Sequence, residues 1–501
     1  MLQEKFNHSL TQKLYRTDQV RMHEQAAAKT LGIDMFSLMQ RAGACVYQHC
    51  VTLFPNVDNY LVVVGSGNNA GDGYVAALSA YNAGKNVRLC AVQTNKEVAG
   101  DVKRAQVDWL ACGGKVEGLT KAFVDKADII IDGLLGTGIS GAVRSDFAQA
   151  ITLVNNSNKP VVSIDLPSGL DANTGAALGK CIVASATVTF VGIKLGLTTS
   201  TGIEACGQLI FEDLGIGKAF ASIAKSDASA LDLKYLKGLA PRSVNSHKGT
   251  HGRLLCVGGN EGMSGAIRMT SEAALRAGAG LVKVFTHQNS IVQISAGRPE
   301  LMVVSSGLKE MLKWASCIVI GPGLGQDEWG KQAFDAVMLH CQHTSKPIVI
   351  DADALNLAAL DTEFVTLRDS IITPHVGEAA RLLNVSIAEV EANRFDFARR
   401  CSIRYKATCV LKGAGSIVDN QRHAWVCRHG NPGMATGGTG DVLAGILGSL
   451  MAQGLSKDMA CLYGVSIHAK AGDIVAQKYG QRGLLASDLF ATVRLLINEK
   501  E

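Results

Sequence analysis

The sequence predicts two α/β domains in tandem, each built on a largely parallel sheet with helices on both faces. Three observations carry this. Short uninterrupted runs of Val, Ile and Leu, the mark of strands buried on both faces, alternate with helical patterns along most of the chain. Many of these runs end in loops rich in Gly, Asp and Asn. The alternation breaks once, from about residue 215 to 246, and then begins again. The 501 residues suit two such units, because single α/β domains commonly reach about 200–250 residues.

In the first half, residues 18–31 carry a helical pattern that Thr17 can cap and Gly32 can close, and a second helix covers 36–51. The period then changes. Leu61-Val62-Val63-Val64 is a buried strand ending in glycine, 87–92 is the next strand and 101–111 a helix. Asp128-Ile129-Ile130-Ile131 is a strand running into Gly133, and strands at 160–164 and 187–191 complete the half. Residues 215–246, Ala/Ser-rich and charged with Pro241, read as a linker and the entry to the second domain. That domain opens with Leu254-Leu255-Cys256-Val257, the loop Gly258-Gly259-Asn260-Glu261-Gly262 and an Ala-rich helix to about 277. Gly278-Ala279-Gly280 precede a strand at 281–285. Further buried strands lie at 318–320, 348–350, 371–372 and 409–411, and an apolar helix covers 442–450.

Composition removes several function classes. A hydrophobic fraction of 47% against 19% charged residues builds a core and argues against disorder. The 54 glycines come with 9 prolines and no Gly-X-Y period, which excludes collagen and places the excess glycine in turns and ligand-facing loops. A net charge of +5 without a Lys/Arg block gives no support to nucleic-acid or anionic-membrane binding. None of the 13 cysteines is spaced C-x-x-C, so they read as reduced, mostly buried thiols of a cytoplasmic protein rather than zinc or redox pairs. Residues 1–10 hold no apolar signal region, and no run of about 18 apolar residues predicts a membrane helix.

The loop Gly65-Ser66-Gly67-Asn68-Asn69-Ala70-Gly71-Asp72-Gly73 joins a strand to a helix, where backbone N–H groups bind phosphate. Its start matches G-x-G-x-x-[GA], but no acid follows the second strand, where Gln93-Thr94-Asn95 stand; this argues against an ordinary NAD dehydrogenase. Two more strand ends carry polar groups, Asp132-Gly133-Leu134-Leu135-Gly136-Thr137-Gly138 and Asp165-Leu166-Pro167-Ser168-Gly169. Ligands of parallel sheets sit beyond such ends, so Asn69, Asp132, Asp165 and Ser168 are expected to converge, although each Asp alone also reads as a turn or cap residue.

With Leu38-Met39-Gln40-Arg41-Ala42-Gly43, these segments resemble the epimerase domain of the bifunctional NAD(P)H-hydrate repair enzymes, over about residues 10–215. The resemblance implies a Rossmann-like three-layer domain, set at 1–220. It implies that Asn68, Asn69, Ala70, Gly71, Asp72, Gly136, Thr137, Gly138, Ile139, Ser140, Gly141, Ala142 and Asp165 hold the hydrated nucleotide, NADHX or NADPHX. It also implies that Asn69, Asp132 and Ser168 give oxygens to K⁺. Asp165 is the candidate proton-transfer residue, since inverting a hydroxyl-bearing carbon beside a ring nitrogen needs assisted ring opening or proton transfer. One departure is visible: the family has a double glycine where this chain has Ala70-Gly71. The methyl strains the loop only if φ there is positive.

The strongest signal of the second half is Asn431-Pro432-Gly433-Met434-Ala435-Thr436-Gly437-Gly438-Thr439-Gly440-Asp441 before the apolar helix. Glycines let backbone close on an oxyanion, the helix start supplies positive potential, and Asp441 can act as a base or simply cap the helix. Neither a P-loop nor a protein-kinase motif set is present. Strand ends at Gly321-Pro322-Gly323-Leu324-Gly325, Asp351-Ala352-Asp353-Ala354-Leu355-Asn356, Thr373-Pro374-His375-Val376-Gly377-Glu378 and Lys412-Gly413-Ala414-Gly415-Ser416 point the same way.

This set resembles ribokinase-like small-molecule kinases and, more closely, the ADP-dependent NAD(P)H-hydrate dehydratase domain of the same repair enzymes, over about residues 235–495. The resemblance implies a ribokinase-like domain, set at 230–501. Ala266, Gly325, His375 and Asp441 would contact the hydrate; Lys412, Gly413, Ala414, Gly415, Ser416 and Gly440 would contact the nucleotide. ADP and Mg²⁺ are the implied co-substrate and ion, and a homo-oligomer the implied assembly. Asp441 would take the hydroxyl proton. Two alternatives stay open: a ribokinase-like kinase of a vitamin precursor with an N-terminal nucleotide-binding module, and a non-enzymatic scaffold. The parts played by Asp351, Asp353 and Glu378, ADP against ATP, and NADH against NADPH hydrate are left open by the residues themselves.

Overall fold

A computed structural model describes residues 12–93, 97–139, 141–236, 239–361, 367 and 369–498. Residues 94 and 95 of the first sequence argument, Ser140 of the expected binding set and the first ten residues lie outside them. The chain divides into two compact units, residues 1–230 and 231–501.

The first unit is a three-layer α/β fold, as the strand pattern predicts. Seven parallel strands run in the order Val116–Gly118, Asn86–Ala91, Asn59–Val64, Ile129–Gly133, Val161–Ile164, Ala186–Phe190, Gln208–Glu212. Side chains alternate between the two faces with period two. Val62, Val64, Ile129, Ile131 and Val162 pack with helices Met35–Leu53 and Asn68–Asn82. Leu61, Val63, Ile130 and Val161 pack against Phe147, Ile151 and Val154 of helix Ser145–Asn155. The strand order reverses between Asn59–Val64 and Ile129–Gly133, which opens a crevice beyond their carboxyl ends. A short strand, Lys13–Tyr15, pairs parallel with Ile193–Lys194 and antiparallel with Ala228–Leu231.

The second unit carries nine strands in the order Leu301–Val304, Leu281–Phe285, Arg253–Val257, Cys317–Ile320, Ile348–Ile350, Ser370–Ile372, Thr408–Leu411, Ser416–Asp419, Ala424–Cys427. The first seven are parallel and the last two form an antiparallel hairpin extension. Leu254, Cys256, Val282, Val319, Val349, Ile371 and Val410 face the helices Ser264–Arg276, Thr439–Ala452 and Lys457–Tyr479. Leu255, Ile318, Ile320, Ile348 and Ile350, pointing to the opposite face, are equally buried.

Three local differences from the sequence reading have physical causes. Thr17 is the first helical residue and not the cap; the N–H of Arg16 is instead satisfied by Gln19 Oε1 at 2.8 Å. The stretch 215–246 is no bare linker: it holds helix Gly217–Ile223 and strand Ala228–Leu231, anchored by fully buried Ile216 and Phe220, the latter edge-on to Tyr15 at 5.1 Å. The last long-loop helix starts at Thr439, so Asp441 lies inside its first turn and Gly438 is the cap residue. All 13 cysteines are free thiols. Among the described residues no helix is long and apolar enough to cross a membrane.

Candidate active sites

In the first unit three strand ends meet around a cavity of about 670 Å³ at the point where the strand order reverses. The loop after Asn59–Val64 turns at Gly67 directly into the helix Asn68–Asn82 and contributes Asn68, Asn69 and Asp72. The loop after Ile129–Gly133 contributes Gly136, Thr137, Gly138, Ile139 and Ala142, and the end of Val161–Ile164 contributes Asp165. The remaining expected positions stand differently. Gly141 does not line the cavity, and Ala70 and Gly71 are turned inward. Ala70 is helical and 1% exposed, without positive φ, so its methyl is accommodated. One residue later there is less room: a Cβ on Gly71 would meet the end of the Met39 side chain at 2.5 Å, which would have to move.

Behind the cavity wall lies a buried polar knot. Asp132 is 1% exposed and accepts hydrogen bonds from Ser163 Oγ (2.8 Å), Ser168 N (2.9 Å), Ser168 Oγ (2.5 Å) and Leu134 N (3.3 Å). Ser168 Oγ also lies 3.2 Å from the Leu135 carbonyl, to which Asn69 Nδ2 donates at 3.1 Å. Burial pushes the Asp132 carboxyl up, and the donated hydrogen bonds oppose that shift. No Lys or Arg pairs with it among the described residues. Asn69, Asp132 and Ser168 thus do converge, on a buried carboxylate ringed by neutral oxygens. One carboxylate with hydroxyl and carbonyl oxygens suits a hard cation of low charge, and among the described residues no group of three His, Cys, Asp or Glu is arranged to hold a metal ion.

Asp165 has φ +64°, a left-handed conformation at the strand end that aims its carboxylate back at the next strand. Its Oδ1 accepts from Lys194 Nζ, from Thr189 Oγ1 at 3.1 Å and from Phe190 N at 3.3 Å. Lys194 is 2% exposed and also donates to the Phe190 carbonyl at 3.0 Å. Glu24, from helix Thr17–Thr30, lines the same cavity. Burial, opposed by Lys194 and reinforced by Asp165, pushes the Glu24 carboxyl up to about 7. Burial, with Asp165 and Glu24 adding repulsion, holds Asp72 well above the usual range. The cavity therefore combines a Lys-paired carboxylate with two carboxyls that favour the protonated form, a set able to give and take protons. Sequence reasoning missed Glu24 and Lys194, which no motif spacing connects to Asp165.

In the second unit the strand ends again carry the site. Arg253–Val257, Cys317–Ile320, Ile348–Ile350, Ser370–Ile372 and Thr408–Leu411 are followed by Gly258, Gly321, Asp351, Thr373 and Lys412. Lys412 Nζ donates to Asp351 Oδ1 at 2.7 Å and stands 3.8 Å from Glu378 Oε2. Asp351 is buried, and its charge raises the Lys412 pKa against the desolvation that lowers it. Asp441 joins this group electrostatically. Burial first, then Asp351, Asp353 and Glu378, push its carboxyl up to about 7, with Lys412 opposing. Helix Thr439–Ala452 presents its first turn here, and the turn is pinned by Thr439 Oγ1 to the Met434 (3.0 Å) and Thr436 (3.1 Å) carbonyls. A Cβ on Gly440 would lie 3.3 Å from Lys412 Nζ, so Gly440 borders the cluster.

His375 caps helix Val376–Leu383: its Nδ1 accepts from Gly377 N at 3.0 Å, while its own N–H donates to Glu378 Oε2 at 2.7 Å. Its ring stays about half exposed, and burial and Lys412 lower its pKa, which favours the neutral ring. Gly325 N donates to Asp353 Oδ2 at 2.9 Å, which gives Asp353 a loop-holding role. Gly323 brings Ala266 toward this loop: a Cβ built on it would lie 3.3 Å from Ala266 Cβ. In the loop at 412–416, the Lys412 N–H is spent on the Pro374 carbonyl (2.8 Å) and the Ser416 hydroxyl bonds the Gly413 carbonyl (3.0 Å). The exposed outer face of this loop belongs to Gly413 and Ala414.

Comparison with known proteins agrees with this division. A family model described as YjeF-related protein N-terminus matches residues 36–196, and one described as NAD(P)H-hydrate dehydratase matches 254–495. The chain is 43% identical over 498 residues to the bifunctional NAD(P)H-hydrate repair enzyme of Escherichia coli K12, covering 98% of this chain and 95% of that protein. It is 39% identical over 491 residues to the enzyme so described in Coxiella burnetii, covering 97% and 99%. Among solved structures, an ADP/ATP-dependent NAD(P)H-hydrate dehydratase from Bacillus subtilis is 29% identical with a TM-score of 0.47, covering 52% of this chain and 93% of that one.

Proposed function

This chain belongs to the family of bifunctional NAD(P)H-hydrate repair enzymes, and from that premise we propose that its two α/β units carry two active sites acting in series on one damaged cofactor. The Rossmann-like domain, 1–220, interconverts the R and S hydrates. The ribokinase-like domain, 230–501, dehydrates the S form to NADH or NADPH at the expense of ADP, releasing AMP and phosphate. The observation that carries the reading is the pair of carboxyl-rich sites at strand ends, each with one acid placed for proton transfer.

In the first site Asp165, paired with Lys194, contacts the substrate and takes the hydroxyl proton as the ring opens at the hydroxyl-bearing carbon, returning it when the ring closes on the other face; Asn68, Asn69 and Asp72 with the 136–142 loop hold the nucleotide. Asn69, Asp132 and Ser168 are suited to hold K⁺, which when bound supplies the positive charge that buried Asp132 lacks. In the second site Asp441 takes the proton of the hydrate's hydroxyl as that oxygen attacks the β-phosphorus of ADP. The O–P bond forms, AMP leaves, and the phosphate ester so made departs as phosphate while a ring proton is lost, restoring the dihydropyridine. Hydroxide is a poor leaving group and phosphate a good one. The N–H groups of the Thr439–Ala452 helix start face the developing charge. Mg²⁺ bound chiefly through the phosphates would neutralise them.

The test is to supply S-hydrate, Mg²⁺ and ADP and assay products. AMP, free phosphate and recovered reduced-nicotinamide absorbance in equal amounts are expected; a stable phosphorylated product would make this a small-molecule kinase instead.

A further inference from the structure

The loop at 412–416 has a cation beneath it that no sequence motif announces. Arg394, the first residue of helix Arg394–Tyr405, is 2% exposed and among the largest fully buried side chains. Its guanidinium donates to three carbonyls of that loop and the strand before it: Nη1 to Ala414 at 3.0 Å, and Nη2 to Lys412 at 3.2 Å and Leu411 at 3.4 Å. Its Nε has no partner. No carboxylate lies within ion-pair distance of it among the described residues; Glu391 acts on it only from farther away. Burial lowers the arginine pKa, yet a guanidinium keeps its proton at neutral pH. Gly413 rests directly on it. Gly413 has φ +144°, and a Cβ there would meet the guanidinium at 2.6–3.0 Å.

A buried charge without a counter-ion is costly, and three carbonyl dipoles answer it only in part. The carbonyls of Leu411, Lys412 and Ala414 point inward to Arg394, while that of Gly413 accepts from the Ser416 hydroxyl. Besides the more distant Glu391, a complementary charge can approach from the open side of the loop, where Gly413 and Ala414 are exposed. Lys412, the residue that looks like the phosphate-binding cation, is already committed to Asp351 at 2.7 Å.

We propose that Arg394 is the positioning cation of the nucleotide site: it turns the loop carbonyls inward, sets the outer face of Gly413–Ala414 against the polyphosphate, and supplies through the loop the positive charge that Lys412 spends on Asp351. The proposal rests on the reading of this loop as the ADP site and deepens it.

The test measures binding of adenosine, AMP and ADP to the full-length protein and its R394M and R394K variants at two salt concentrations. In the unmodified protein affinity rises with phosphate number. R394M should lose at least about tenfold in ADP affinity while adenosine shifts less than about twofold, and the salt dependence of ADP binding should flatten. R394K keeps the charge but not the planar fork that reaches three carbonyls, so its ADP affinity should fall between those of R394M and the unmodified protein and still rise with phosphate number. Equal losses for adenosine and ADP in R394M would mean a merely structural arginine and overturn the proposal; so would ADP binding within twofold of the unmodified protein. Should R394M not fold, R394K decides: loss of the phosphate-dependent increment there overturns the proposal. Failure of the unmodified protein to bind ADP or ATP would instead refute the nucleotide site itself.

Discussion

Asp441 shows what burial does to a single side chain. Its carboxyl is held at about 7 by desolvation and by Asp351, where an exposed aspartate ionises near 4. A base near neutrality takes a proton at the working pH without holding it too weakly. Dehydration should therefore fall as pH drops through about 7, and the low-pH limb should report this group. Asp441→Asn should lower kcat for dehydration by about two orders of magnitude or more and leave epimerisation unchanged; full retained dehydration would remove Asp441 as the base. The same shift has a cost in stability. Between the unfolded and folded pKa values the folded state holds the proton that the unfolded chain releases, so this group destabilises the fold progressively as pH rises from about 4 to 7. Asp441→Asn should then gain melting temperature relative to the parent as pH rises over that range, read by thermal unfolding at matched salt. Asp165 and Asp441 were legible in the sequence because each follows a recognisable strand end or glycine loop. Glu24, Lys194 and Arg394 were not, because what makes them special is a partner far along the chain: Lys194 lies 29 residues from Asp165 and Arg394 20 residues from Ala414. The bond that ties the Lys412 ammonium to Asp351, 61 residues away, was equally invisible in the sequence.

At the scale of elements, the buried strands were legible from their apolar runs, since a parallel strand covered on both faces has no polar side to blur it. The helix expected at 101–111 spans Gly100–Ala111, and the Ala-rich helix expected to run to about 277 ends at Arg276. The misread stretch, 215–246, is Ala/Ser-rich; its helix depends on two buried anchors, Ile216 and Phe220, which no periodicity makes visible. The hairpin at 416–419 and 424–427 was also not foreseen, for its strands are four residues each and depend on Asn420 accepting from the N–H groups of Arg422 and His423 to close the turn. Two loop substitutions test what the elements do. Ala70 is an ordinary buried helical residue, so Ala70→Gly should cost about 1 kcal/mol of stability by denaturant unfolding and keep epimerase activity. Gly440 sits in the first turn of its helix without positive φ, so Gly440→Ala should not lower the unfolding midpoint. It should, however, raise the KM for ADP about tenfold or more, because the methyl enters the space beside Lys412.

For the whole molecule, joining the two activities has a chemical reason. A dehydratase selective for one epimer clears a racemising pool only as fast as the other epimer is converted, and a dedicated epimerase removes that limit. The ions proposed for the two sites differ, which would make the sites separable in the intact chain. Replacing K⁺ by Li⁺ should slow epimerisation and spare dehydration of S-hydrate, since Asp132 belongs to the first site alone; equal effects on both would locate the ion elsewhere. The two-domain α/β plan and both groups of strand-end residues were readable from sequence, while the electrostatic partnerships within each site emerged only from the fold. The most direct measurement follows reduced-nicotinamide absorbance when Mg²⁺, ADP and an R/S mixture of NADH hydrate are added to the full-length protein, to Asp165→Asn and to Asp441→Asn. The account predicts complete recovery for the parent, recovery limited to the S fraction at the early plateau for Asp165→Asn, none for Asp441→Asn, and complete recovery again when the two variants are mixed. Recovery by the parent that stops at the S fraction, or complete recovery by Asp165→Asn at the parent rate, would contradict it.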